Sequence, residues 1–246
     1  MDQRNMNAIE HLNEMRKRII FTLIIFLLLF CLAFVFVEEI YQFLVKDLNF
    51  KLVVLGPSDV IYVYVILSGI SAIAVTIPVA AHQIWLFVKP ALSKKEQKLA
   101  LAYIPALFLL FIAGISFGYF LLFPLVLTFL MSLSTEMFQA FFTTEKYFRF
   151  LLQMTLPFGI LFELPVVIMF LTSLGVINPY RLQKIRKYAY FVLIVISVFI
   201  TPPDFISDVL VIIPLILLYE GSVSVSKIVY KRKQRNEQIV DVKIAN

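Results

Sequence analysis

The sequence predicts an all-α integral membrane protein: six kinked transmembrane helices forming a concave bundle, with both termini cytoplasmic. Three observations predict it. Of the 246 residues, 61% are hydrophobic and only 15% are charged, whereas a soluble globular chain is about half apolar and about a quarter charged. The apolar residues fall in long charge-free runs. The basic residues are divided so unevenly among the connections that they orient the chain.

A hydrocarbon core of about 30 Å takes about 20 apolar residues of helix. Residues 19–37 carry no charge and give the first span. Glu38-Glu39 follows it where a secretion signal has small residues for cleavage. Residues 60–88 give the second span. The charge-free run 99–135 is longer than one span needs, and 103–131 is its natural centre. Residues 150–173 give the fourth span, with Glu163 as its one charge. Residues 188–203 form a short fifth, and residues 205–225, with an apolar centre between Asp208 and Glu220, a short sixth. A basic cytoplasmic tail follows over 227–246, and 1–246 reads as one polytopic membrane domain.

Counting Lys and Arg by connection gives the orientation. The N-terminal segment, the loops near 89–98 and 181–187, and the tail together carry 18 of the 22; Lys46, Lys51, Lys146 and Arg149 are the other four. The richer side, which includes both termini, is cytoplasmic. The formal charge of +6 therefore expresses topology and attraction to anionic lipid, not nucleic-acid binding.

Proline recurs inside the spans, at Pro78, Pro105, Pro124, Pro157, Pro165 and Pro214. Each removes a backbone donor and bends its helix. Gly114-x-x-x-Gly118 allows close helix approach, with plain packing favoured over a dimer face.

The polar residues divide into candidates and housekeeping. A carboxylate inside a span is costly, which makes Glu163 a functional candidate or a structural group at the Pro165 kink. Glu220 lies near a span end, where its carboxylate snorkels to the interface. Asp204 and Asp208 suit the start of a helix. Ser93-Lys94-Lys95-Glu96 has the pattern of a capping box, and Asn178-Pro179 that of a helix start. Asn7-x-x-Glu10 resembles another cap, and Ile9, Leu12 and Met15 recur at the spacing of an interfacial helix. Glu14 and Arg18 are spaced for an i,i+4 ion pair.

One cysteine, Cys31, and two histidines, His11 and His82, exclude a disulfide within the chain and offer no metal spacing. No nucleophile–base–orienter set and no glycine-rich phosphate loop occurs. The expectation is a protein that is not an enzyme and needs no cofactor. The residues alone leave a small-molecule secondary transporter open, with Glu163 as proton carrier.

Four motifs carry a resemblance. His11-Leu12-Asn13-Glu14-Met15-Arg16-Lys17-Arg18, the run from His82 to Glu96 through Trp85, Phe87, Pro90 and Ala91, Phe158-Gly159-Ile160-Leu161-Phe162-Glu163-Leu164-Pro165, and Thr201-Pro202-Pro203-Asp204 followed by Pro214 and Tyr219-Glu220 occur in this order. Together they resemble the TatC family, the multi-span subunit of the twin-arginine protein translocase. Two positions depart from the family pattern: Leu55-Gly56-Pro57-Ser58-Asp59-Val60 replaces S-P-x-E-x-F, and His82 replaces a tyrosine.

The resemblance implies a receptor in the plasma membrane of a prokaryote. It would bind twin-arginine signal peptides of folded cargo at its cytoplasmic face and recruit single-span TatA-like and TatB-like subunits. Transport would be driven by the proton-motive force, within a homo-oligomeric complex. It places signal-peptide contacts at Glu14, Arg16, Phe87, Pro90 and Glu96, the intramembrane polar site at Glu163, and an external hairpin touching partners at Pro202, Pro203 and Asp204. The charge pattern agrees. A cationic ligand approaching a basic face needs local carboxylates, and a guanidinium pair forms forked bonds with them that lysine reproduces poorly. Phe87 would add an apolar or cation–π contact.

Overall fold

The computed structural model describes residues 8–46, 48, 50–92, 94–132, 142–201 and 205–245, with side chains omitted at 8–11, 91, 94–96, 98–100 and 236–245. The described residues are almost wholly helical, and their helices form two compact units. Five helical stretches are long and apolar enough to cross a membrane: Leu12–Val35, Pro57–Val88, Leu101–Ser132, Thr144–Leu174 and Phe205–Arg235.

The first unit comprises residues up to Phe108 together with Phe141–Phe150. Helix α1, Ala8–Val35, is continuous from the amphipathic N-terminal segment into the first apolar run. No break separates an interfacial helix from a span, because no Gly or Pro interrupts that stretch. At Phe36 the backbone leaves helical geometry (φ −98°, ψ 15°) and α2, Val37–Val45, begins. Glu38 and Glu39 occupy its first turn, where the helix dipole favours negative charge.

Helix α3, Pro57–Val88, opens with proline at N1 and carries Pro78 inside it. It packs along α1, where Tyr64 meets Phe34 edge-on at 5.5 Å. None of the 24 residues of Leu12–Val35 is buried. Leu28 at 66% and Val35 at 73% exposure belong to a continuous apolar surface along this helix, which suits hydrocarbon rather than water. Two short extended segments join at Val53 and Thr143 as an isolated parallel bridge. Val53 N donates to Phe142 O at 3.0 Å, Thr144 N donates to Val53 O at 2.9 Å, and the rings of Phe50 and Phe142 lie 4.8 Å apart.

The second unit comprises Leu109–Ala140 and the residues from Leu151 onward. Helix α4, Lys94–Phe117, enters it and passes through a π turn at Gly118–Leu122 into α5, Phe123–Ser132. The π turn has a local cause. Pro124 has no N–H, and in a regular α-helix its ring would strike the Phe120 carbonyl. The wider turn relieves that clash, and Phe123 N reaches back to Gly118 O instead.

Helix α6, Thr144–Leu161, runs past α4 at very close range. A Cβ added at Gly114 would lie 2.5 Å from Phe158 O, and one at Gly118 2.5 Å from Met154 O. The glycine pair thus serves packing inside the chain, since only hydrogen fits there. Helix α6 ends before Phe162-Glu163, and α7, Leu164–Leu174, starts with Pro165 in its first turn and stops at Gly175 with φ +81°. Asn178 accepts a bond from Tyr180 N at 2.9 Å and caps α8, Pro179–Lys184.

Helix α9, Arg186–Ile200, has 15 residues, about 22 Å at ~1.5 Å per residue, so it falls short of a full bilayer. Helix α10, Phe205–Ala245, has 41 residues and packs on α7, α8 and α9. The helix continues past its apolar centre, and Ser222 and Ser224 within it donate to the carbonyls of Leu218 and Glu220. Two buried threonine hydroxyls elsewhere bond similarly: Thr155 donates to Leu151 O, and Thr172 donates to Ile168 O and accepts from the Ser226 hydroxyl.

Candidate functional site

Four of the five expected signal-peptide residues are described in full and lie in the first unit, two on α1, one on α3 and one in the turn after it. Glu14 and Arg16 stand one turn before the start of the first apolar run. Arg16 is exposed and Glu14 partly so. Glu14 pairs with Arg18, as the spacing suggests. Arg18 directs Nε, at 3.1 Å, and Nη2 onto the same oxygen, Glu14 Oε1. Arg18 also reaches α3, where Nη1 donates to Gln83 Oε1 at 3.3 Å. Phe87 is one helical turn beyond Gln83. Arg18, Gln83 and Phe87 line one end of an apolar groove of about 690 Å³ between α1 and α3.

Pro90 lies in the one-turn 3-10 helix Lys89–Ala91 that closes α3. Gln97 fixes this connection: its Nε2 donates to Lys89 O and Leu92 O, both at 3.0 Å, and its carbonyl accepts from Trp85 Nε1 at 3.1 Å. Trp85 stacks near His82 at 5.4 Å and carries Lys89 Nζ over its ring at 5.0 Å. Helix α4 begins at Lys94, where a capping box with Ser93 at N-cap would start it. Ser93 and the Glu96 side chain lie outside the described residues, as do Asn7 and Glu10's side chain; Glu96 itself sits in the first turn of α4.

Glu163 is in the second unit, at the break between α6 and α7. Glu163 N donates to Ile160 O at 3.1 Å, and its carbonyl accepts from Val167 N at 3.0 Å. Both carboxylate oxygens are buried, and neither has a hydrogen-bond partner among the described residues. Beside it, Phe162 lines an apolar pocket of about 460 Å³ with Phe117, Leu121, Ile213 and Pro214. Pro202, Pro203 and Asp204 lie outside the described residues. On their flanks, Thr201 caps α9, and its hydroxyl donates to Asp208 in the first turn of α10.

Three polar arrangements have no signature in the sequence. Gln83 and Gln97 have no positional signature, because their partners are defined only once α1, α3 and the loop are folded. Glu220 does not snorkel freely: it accepts from Arg186 Nη2 at 2.6 Å and from Tyr190 OH at 2.5 Å, tying α10 to α9. Among the described residues no group of three His, Cys, Asp or Glu side chains is arranged for a metal ion.

The family model described as Sec-independent protein translocase protein (TatC) matches residues 10–214. The chain belongs to the TatC family. It is 59% identical over 237 residues to the Bacillus subtilis Sec-independent protein translocase protein TatCd, covering 96% of this chain and 98% of that protein. To Bacillus subtilis TatCy it is 41% identical, over 96% of this chain and 94% of that one. Two crystal structures of the twin-arginine translocase receptor TatC superpose on it with TM-scores of 0.78 and 0.80, both at 33% identity. They cover 89% and 88% of this chain, and it covers 99% of each of theirs. As a TatC protein, the chain is a membrane component of the Sec-independent, twin-arginine translocase. It serves transport and is not an enzyme.

Proposed function

We propose that this chain is the signal-peptide receptor and core of the translocase. Its cytoplasmic face binds the twin-arginine signal peptides of folded cargo through Glu14, Arg16, Phe87, Pro90 and Glu96. Single-span TatA-like and TatB-like subunits then join it, and the proton-motive force drives export. It works in the plasma membrane as one domain of six spans, with α9 as the fifth and both termini inside. The complex holds several copies, with Glu163 as its intramembrane polar site and the 202–204 hairpin as a partner contact.

One observation carries this reading: Arg18 ties the Glu14 carboxylate of α1 to Gln83 of α3, and Arg18, Gln83 and Phe87 line an apolar groove between the two helices. A peptide with adjacent arginines and a following apolar stretch has the matching chemistry. The two solved relatives, each a twin-arginine translocase receptor TatC, support it.

The test is binding of a fluorescent twin-arginine peptide to the full chain in nanodiscs. Glu14→Gln and Glu96→Gln each remove a charge-assisted bond, and each is expected to weaken binding about tenfold or more. Replacing the peptide's arginine pair by two lysines should weaken it as well. Unchanged binding in both variants overturns the reading.

A further inference from the structure

Glu14 is not a free carboxylate. Arg18 meets it end-on, with Nε and Nη2 converging on Oε1, and a side-on fork using both oxygens is not formed. Among the described residues Oε2 accepts no bond. The third arm of the guanidinium is engaged by Gln83 on α3. An i,i+4 pair alone leaves two long side chains free to separate and contributes little. The acceptor on a second helix removes that freedom. With side chains 22% and 26% exposed, Arg18 and Glu14 are shielded enough for the arrangement to persist. One oxygen is thus occupied from within the chain by Arg18, itself a lining residue of the groove, and the other is left for a ligand from outside.

We propose that Arg18 and Gln83 are positioning residues for the acceptor carboxylate. They hold Glu14 by Oε1 so that Oε2 meets a guanidinium of the incoming peptide. This inference rests on the reading of Glu14 as a signal-peptide contact. Gln83 acts only through Arg18 and Glu14, and it tunes selectivity for arginine over lysine. A guanidinium reaching Oε2 can direct two N–H groups along a fixed edge, an arrangement that rewards a carboxylate held still. A lysine ammonium gains less from that restraint.

Gln83→Met removes the acceptor while leaving every formal charge in place, and Gln83→Leu serves if the first variant inserts poorly. Peptide binding to the full chain in nanodiscs is measured with arginine-pair and lysine-pair peptides. Gln83→Met is expected to weaken the arginine-pair peptide about three- to tenfold and to narrow its advantage over the lysine pair. In a Glu14→Gln background the same substitution should change nothing further, which a merely structural role would not give. Unchanged or tighter binding in Gln83→Met, or an equal loss in the Glu14→Gln background, overturns the inference. If Glu14→Gln alone binds like the unaltered chain, the receptor reading of Glu14 fails and the inference falls with it. If only Gln83→Met is silent, the receptor reading stands and the inference does not.

Discussion

Glu163 keeps two acceptor oxygens away from water with no donor to meet them among the described residues. An unsatisfied buried polar group costs about 1–3 kcal/mol, more if charged, and replacing it by an apolar group removes that cost. Glu163→Leu is therefore expected to raise the unfolding midpoint of the purified protein, by about 1–3 kcal/mol of stability. The same variant should lose export while still binding the twin-arginine peptide, if Glu163 serves a step after recognition. Thermal unfolding in detergent and peptide binding read the two effects separately; a destabilised variant would mean that the carboxyl already has a partner in the free chain. Glu163 was visible in the sequence because a lone charge in a long apolar run has no inexpensive explanation. Gln83 and Gln97 were not, since glutamine is ordinary at a helix end and their bonds reach 65 residues back and 8 and 5 residues back in the chain.

At the scale of elements, Gly114 and Gly118 set a close backbone approach to α6 in the second unit. A methyl at Gly114 meets a carbonyl oxygen and Gly159 Cα, neither of which can rotate away. Gly114→Ala should force the helices apart and cost about 1–3 kcal/mol. Gly221, inside α10, has nothing within 4 Å of an added Cβ, and Gly221→Ala should stabilise by about 0.5–1 kcal/mol through helix propensity. Opposite shifts of the two melting curves check this; equal shifts would refute the packing account. The long apolar helices were legible because composition alone demands them. The break at Phe36 was not, since no Gly or Pro marks it, and neither was the reach of α10, whose polar C-terminal half has no apolar run to announce it.

For the whole molecule, helix length and charge point to different counts. Five long helices would put the two termini on opposite sides of the membrane. Counting the 15-residue α9 as a sixth span returns both to one side, the arrangement that the 18-to-4 division of Lys and Arg favours. A short span is tolerated where neighbours or a thinned bilayer shield its ends. We expect a cysteine at position 240 to be labelled only from the cytoplasmic side and one at Lys146 only from outside, both in a Cys31→Ser background. Labelling of position 240 from outside would remove α9 from the spans.

The π turn at Gly118–Leu122 has a consequence for insertions and deletions. Such a turn holds one residue more than a regular helix needs, while a residue lost from a regular helix rotates everything downstream by about 100°. Gly118 and Leu122 are buried before the junction, and Phe123 and Val126 after it, so both sides share one packed face. Deleting Phe120, which is 69% exposed, should let the turn close toward α geometry with that face still aligned, provided the helix accepts Pro124 as a kink. Deleting Leu109, 64% exposed in α4, has no surplus to draw on and should misalign Gly114 and Gly118 against α6. The chain thus carries a spare residue in its third long helix, and length variation among its relatives is best accommodated there.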